Sequence, residues 1–226
     1  MDKRSKRYKE SAKLVDKQKV YTLKEAVSIL KKMKPTKFNG SVDLHMKLNV
    51  DPKKSEQMIR GTVLLPHGTG KKVRVAVFCR GEYEKIAQQA GADYVGANDL
   101  IDKVAGGFLE FDCVIATPDI MKDLAKLGKI LGPRGLMPSP KTGTVTTDIA
   151  KAIEDVRRGK VEFRVDKQGG IHLSIGKISF DEEKIADNAL CVIQAINEAK
   201  PPTVKGKFIE SMHISTTMNP GLRIEV

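Results

Sequence analysis

The chain has 226 residues, 40% apolar and 30% charged, with 40 Lys and Arg against 28 Asp and Glu and a formal net charge of +12. That length can bury a sizeable core in one or two domains, and the charge favours an anionic partner. With 5% aromatic residues and no tryptophan, a wide stacking platform for single strands is not expected.

Cys79, Cys113 and Cys191 are far apart and form no CxxC pair, so neither a zinc site nor a disulfide framework is indicated, and the expected compartment is reducing. No apolar stretch approaches the roughly 18 residues of a membrane span, and no leader pattern is visible, so a cytoplasmic protein without membrane contact is expected.

The charge excess lies at the N-terminal end. Residues 1–67 carry 17 Lys and Arg against 7 Asp and Glu, residues 68–158 carry 14 against 12, and residues 159–226 carry 9 against 9. On charge alone, the basic end is either a solubilising tail or the footprint of an anionic partner. Residues 1–19 read as a basic helix with Tyr8, Ala12 and Val15 on one face and Arg4, Lys6, Arg7 and Lys13 outside. Thr22 and Glu25 form a capping box for a helix whose apolar face is Leu23, Ala26, Val27 and Leu30, ending before Pro35. From Ser41 to Asn49, Val42, Leu44, Met46 and Leu48 alternate with Asp43, His45 and Lys47, the pattern of a half-buried strand. Asp51-Pro52 suits the start of a short helix, and Gly61 to Pro66 is a second extended run.

Gly68 to Lys72, GTGKK, reads as a linker. A phosphate loop needs GxxxxGK[ST] between a strand and a helix, which this is not, and no GxGxxG follows a strand. From Val73 the pattern changes. Strands at Val73–Cys79, Tyr94-Val95 and Cys113–Thr117 alternate with helices at Glu82–Ala90, Asp99–Val104 and Ile120–Leu127, the signature of a parallel α/β sheet.

The segment GKILGPRGLMPSPKTG, Gly128 to Gly143, holds four glycines and three prolines. It is expected to be a stiff loop, with φ > 0 at Gly132 and Gly135 and with Leu131, Leu136 and Met137 tacking it down. Lys129, Arg134 and Lys141 would point outward, suiting contact with phosphates, although the same composition fits a solvated connection. Thr147 is expected to cap a helix through Ile149, Ile153 and Val156 that ends at Arg157-Arg158-Gly159.

After Gly159, alternation at Val161, Phe163 and Val165, the Gly169-Gly170 turn, and alternation at Ile171, Leu173 and Ile175 read as a hairpin. A helix over Ile185–Ala199 stops at Pro201-Pro202, and strands are expected at Phe208–Thr216 and Leu222–Val226. The order, mixed α+β, then α/β, then α+β, is that of one domain inserted into another. Residues 1–67 with 159–226 form the first domain and residues 68–158 the second, joined at a hinge.

The four histidines are scattered along the sequence and read as polar face residues rather than metal ligands. Asp181 to Glu183 sit at a helix start, where negative charge suits the dipole. Ser211, Ser215, Thr216, Thr217, Met218 and Asn219, with Pro220-Gly221, gather hydroxyls and an amide at a strand end. They suit ribose or base edges, and taken alone they equally fit a capped turn.

Four segments carry a resemblance: the run from Lys37 to Lys71, GKILGPRGLMPSPKTGTVT from Gly128, EFRVDKQGGIH from Glu162, and STTMNPG from Ser215. Over essentially its whole length the chain resembles the L1 family of large-subunit ribosomal proteins, those of the lateral stalk, in bacterial form. The resemblance implies two domains: a split β-α-β domain built from both termini, and an inserted Rossmann-like three-layer α/β domain without a dinucleotide. It implies a protein without enzymatic activity, cofactor or metal, cytoplasmic on the ribosome and monomeric when free of it. Its partners would be the stalk region of large-subunit ribosomal RNA, exit-site tRNA whose release it assists, and its own operon mRNA, which it represses.

Carried over by motif, the RNA-facing residues are Lys37, Phe38 and Ser41, then Asp166, Lys167 and His172, then Ser211, Thr216, Thr217, Met218, Asn219 and Gly221, with Arg4 from the basic end. Lys37 and Lys167 are assigned to phosphates, Phe38 to packing that shapes the site, and the hydroxyls to ribose or base edges. Lys129, Arg134 and Lys141 are a secondary contact in the second domain. Two departures stand out: Asn219 where the family usually has glycine, and Asn39-Gly40 where it usually has an acidic pair. The competing readings are an α/β enzyme, which would bind ATP or NAD stoichiometrically, and a non-specific DNA-binding protein with a steep salt dependence.

Overall fold

Ser5 accepts a hydrogen bond from the Tyr8 amide and starts α1 (Lys6–Ala12), a shorter helix than the basic run suggests. The computed structural model describes residues 4–16, 18–33, 36–204 and 206–225. Residues 1–3, Pro35 and Val226, part of the expected elements or their ends, lie outside the described residues. By its internal contacts the chain divides into two compact units. One comes from both ends, up to Gly70 and from Val161 onward; the other is Lys71–Lys160.

In the first unit, Thr22 and Glu25 close their reciprocal cap and start α2 (Leu23–Lys32), which buries Ala26, Val27 and Leu30. The alternation after it forms β1 (Ser41–Leu48), with Val42, Leu44, Met46 and Leu48 buried. The expected helix at Asp51-Pro52 is a turn instead. The Asp51 carboxylate accepts the Lys53 amide at 3.1 Å, and a 3-10 turn follows at Ser55–Gln57. Side-chain acceptance two residues on favours a turn over a helix. β2 (Arg60–Leu64) closes this stretch.

The second unit is built around a parallel sheet with β3 (Val75–Phe78) between β4 (Tyr94–Gly96) and β5 (Cys113–Ala116). Side chains on alternate positions face opposite sides. Val75, Val77 and Ile115 join Ala87 of α3 (Glu82–Gln89) and Ile149, Ala152, Ile153 and Val156 of the helix that follows Asp148 in one apolar cluster. Ala76, Phe78, Val114 and Ala116 join Leu100, Ile101 and Val104 of α4 (Asn98–Ala105) and Leu124 of α5 (Met121–Leu124) in another.

The expected loop at Gly128 begins as a helical turn, α6 (Gly128–Leu131), with Leu131 fully buried. Gly135 has φ 69°, as expected, but Gly132 does not share it. Gly132 is needed for space, because a Cβ there would lie 2.5 Å from the Gly128 carbonyl oxygen. α7 (Ile149–Arg158) is capped by Asp148, which accepts from the Lys151 amide, and not by Thr147.

The chain then returns to the first unit. β6 (Lys160–Arg164) pairs with β2 in a two-stranded sheet. β7 (Gly170–Lys177), β8 (Ile209–Thr216) and β9 (Leu222–Ile224) join β1 in an antiparallel sheet of order β7-β1-β8-β9. The Gly169-Gly170 turn is therefore a corner between two sheets and not a hairpin. α8 (Glu182–Glu198) packs Ile185, Ala189, Val192 and Ile196 into the core that the buried face of this sheet shares with α2. Asn188, fully buried on α8, accepts the His67 amide and donates to the Gly68 and Ile175 carbonyls, fixing where the chain leaves the first unit.

Candidate nucleic-acid interface

One face of the four-stranded sheet is apolar core, so its other face carries every second residue of four strands. Register sets the rows. Asp43 lies opposite Ser174 and Ser215, His45 opposite His172 and His213, and Lys47 opposite Gly170 and Ser211. Arg223 of β9 extends the histidine row beyond His213. From Ser41 to Lys47 this polar strip is about 20 Å long at the usual rise of a strand.

At one end, the chain before β1 meets the chain after β8. The Ser41 amide donates to Thr217 Oγ1 at 3.0 Å and the Thr217 amide to the Ser41 carbonyl at 3.0 Å. Lys177 Nζ donates to Ser41 Oγ at 2.9 Å. Lys37 is exposed, and Phe38 is 54% exposed with its carbonyl accepting from Thr36 Oγ1. Met218 is 67% exposed and holds φ 68°, the one non-glycine with positive φ among the described residues. Arg7 of α1 reaches across to donate to the Met218 carbonyl. Asn219 donates to Thr216 Oγ1 at 2.8 Å while its own Oδ1 is buried without a partner. Thr216 is 5% exposed, so its hydroxyl serves this turn and is not presented outward. The Asn39-Gly40 departure is accommodated: Asn39 donates to Ser179 Oγ and the Gly40 carbonyl accepts the Ile178 amide.

At the other end, Asp166 accepts the amides of Gln168 and Gly170 at 2.8 and 2.7 Å, with Gly169 at φ 80°. The Gly170 amide above all, then Gln168 and His172, holds its carboxyl below the usual range. Asp166 thus builds the corner that displays exposed Lys167, and Lys47 Nζ donates to the Gln168 carbonyl beside it. Ser211 of β8 lies directly opposite Lys47 of β1.

Between the two ends runs the histidine row, which places together residues far apart in sequence. The His45 and His172 rings lie 5.1 Å apart between centroids, with Nδ1 to Nδ1 at 3.0 Å. Burial, then neighbouring His172, lowers the pKa of His45 despite Asp43, and burial, then Arg223, lowers that of His213. Alongside, α1 and the β8–β9 end enclose a cleft of about 650 Å³ lined by Arg4, Tyr8, Lys13, His213, Gly221 and Arg223. The Arg4 guanidinium lies 5.0 Å over the Tyr8 ring.

Most of the residues expected from sequence at the first unit's site therefore share this face or its two ends, Thr216 being turned inward. Ser215, already in the polar cluster read from the sequence, lies on the same surface, and so do His45, His213, Arg7, Lys177 and Arg223, which were not singled out as contacts. The alternation in β1 already placed His45 and Lys47 together; only strand pairing adds the rest. In the second unit Lys129, Arg134 and Lys141 are exposed. There, at the carboxyl end of β3, where doubly wound sheets bind ligands, Arg80 is bonded to Asn98 Oδ1 at 3.2 Å and Asp123 Oδ2 at 2.9 Å.

The model of the ribosomal protein L1p/L10e family matches residues 30–220. The chain belongs to that family. Its relatives include the large ribosomal subunit protein uL1 of Fervidobacterium nodosum, 55% identical over all of this chain and 97% of its own length. The uL1 protein of Thermobifida fusca is 52% identical over 99% of this chain and 95% of its own. That of Protochlamydia amoebophila is 51% identical over the whole chain and 96% of its own length. The family is one of ribosomal proteins and not of enzymes, which removes the α/β-enzyme reading. Among the described residues no helix is long and apolar enough to cross a membrane.

Proposed function

We propose that the chain is a structural protein of the large ribosomal subunit and binds ribosomal RNA of the lateral stalk through the polar face of its first unit. The observation that carries this reading is the gathering of lysines, hydroxyls and an exposed methionine, drawn from three separate parts of the sequence, at one sheet face and its two ends in a member of a ribosomal protein family. Folded RNA is recognised through shape, phosphates and 2′-hydroxyls, which calls for donors more than aromatic stacking. Lys37 and Lys167 meet phosphates, and Ser211, Thr217 and Met218 meet sugar and base edges. The part formed by both ends of the chain, 1–67 with 159–226, is the RNA-binding domain, and 68–158 is the inserted one. Lys129, Arg134 and Lys141 make a secondary RNA contact. On the ribosome the protein assists release of deacylated tRNA from the exit site, and off it represses its own operon mRNA.

The test is affinity of the full chain for a stalk RNA fragment against a scrambled RNA of equal length at near-physiological salt. A strong preference for the stalk fragment is expected, and equal, salt-sensitive binding to both would leave only charge at work. Met218→Ala and Thr217→Ala should each weaken stalk binding by about 1–3 kcal/mol. Met218 is the cleaner probe, because the Thr217 hydroxyl also accepts the Ser41 amide. Unchanged affinity in both variants would remove this cluster from the interface.

A further inference from the structure

The centre of the polar face contains a hydrogen-bonded chain whose direction follows from its end. His172 Nε2 lies 3.4 Å from Asp166 Oδ2. A bare nitrogen facing a carboxylate would set acceptor against acceptor, so the proton of neutral His172 sits on Nε2 and its Nδ1 is bare. His45 Nδ1, 3.0 Å away, must then carry the proton of neutral His45 and donate it to His172 Nδ1. That leaves His45 Nε2 bare, and Ser215 Oγ at 3.1 Å donates to it. In this state the Ser215 hydroxyl proton is turned into the protein, and only its lone pairs face outward. A phosphate, which only accepts, meets no donor there.

We propose that His45, His172 and Ser215 form one phosphodiester-binding element that takes up a single proton from solvent when RNA docks. This rests on the RNA-binding reading above. The proton lands on His45 Nε2, the one bare nitrogen in the chain without an N–H aimed at it. His45 becomes an imidazolium that still donates from Nδ1 to His172 and now donates from Nε2 to Ser215 Oγ. The Ser215 hydroxyl, relieved of donating inward, turns its proton toward the phosphate. The face gains one positive charge and one outward donor together. A second proton would set N–H against N–H across 3.0 Å between the rings, so uptake stops at one.

The surroundings fit a His45 that is neutral until RNA arrives. Burial, the neighbouring His172 and, less strongly, His213 all disfavour charge on His45, and only Asp43 on its own strand favours it. Asp166 Oδ1 accepts the Gln168 and Gly170 amides while its Oδ2 faces His172 Nε2, and Lys47 is committed to the Gln168 carbonyl. Beyond His213 lie Arg223 and the cationic residues Arg4, Lys9 and Lys13 around α1. An RNA phosphate reverses this balance by supplying the negative charge.

The test measures stalk-fragment binding by the full chain from about pH 6 to 8.5 at constant ionic strength, and follows the imidazole ¹⁵N resonances with and without RNA. One linked proton makes affinity fall as pH rises, by up to about tenfold per pH unit between the free and bound pKa values of His45. The slope should vanish in His45→Gln and persist in His213→Gln, which titrates next to it but lies outside the chain. Ser215→Ala should bind more weakly at pH 6 than wild type and converge with it at pH 8.5. In the free protein His45 should carry its proton on Nδ1 and His172 on Nε2. Equal slopes in wild type and His45→Gln, or His45 resonances unmoved by RNA, overturn the inference while leaving RNA binding intact. Failure to prefer the stalk fragment over scrambled RNA overturns the reading beneath it.

Discussion

At the scale of single residues, Met218 joins exposure to an unfavourable backbone. A non-glycine in the left-handed region costs about 1–2 kcal/mol, and Met218 sits there at φ 68° with Arg7 holding its carbonyl. Glycine at this position would relieve that strain, yet it also gains about 0.5–1 kcal/mol of freedom in the unfolded chain. The relief outweighs the cost by less than about 1.5 kcal/mol, so Met218→Gly should melt at or slightly above wild type. If the side chain touches RNA, Met218→Gly should lose affinity as Met218→Ala does. Affinity kept in the glycine variant alone would assign the role to the backbone shape and not to the thioether. The sequence showed that Ser215 to Gly221 is a turn rich in polar groups. It did not show that Thr216 points inward while Met218 points out, because that division depends on where β8 ends.

At the scale of elements, local chemistry was legible and pairing was not. The Thr22–Glu25 cap and the alternation of β1 are written in neighbouring residues, and both stand in the structure. Asp166 to Gly170 announced a turn just as clearly, but nothing local told that β6 leaves with β2 while β7 joins β1. The histidine row was hidden for the same reason: His45 and His172 are 127 positions apart, and only register makes them neighbours. Asp166 is the hinge-pin of that corner, and its role has a pH signature. Its lowered pKa means that its stabilisation is present above the unfolded-state value and is lost as pH falls through the lower folded one. Asp166→Ala should therefore melt below wild type at pH 7, by no more than ~1 kcal/mol for so exposed a group. The gap should close on acidification below 3.8, the ordinary value for the carboxyl. A gap that persists in acid would show that the turn is held by Gly169 and the backbone alone.

At the scale of the whole molecule, each apolar cluster among the described residues belongs to a single unit. One lies wholly in the part built from the chain ends, and two lie on opposite faces of the β4-β3-β5 sheet. A unit with its own core and one continuous stretch of chain should fold alone. We expect residues 71–160, expressed by themselves, to melt cooperatively, and residues 1–70 joined to 161–226 by a short glycine-serine link to do the same. The charge then decides how they bind. Residues 1–67 carry 17 Lys and Arg against 7 Asp and Glu, whereas 68–158 carry 14 against 12. Each phosphate neutralised releases counterions and steepens the salt dependence, so the slope of log affinity against log salt should follow the unit that makes the contacts. The joined fragment should keep stalk preference and most of the full chain's slope, while the middle fragment binds stalk and scrambled RNA alike and weakly. If the joined fragment folds but loses half or more of that slope, Lys129, Arg134 and Lys141 are primary contacts, and the interface must be extended into the second unit.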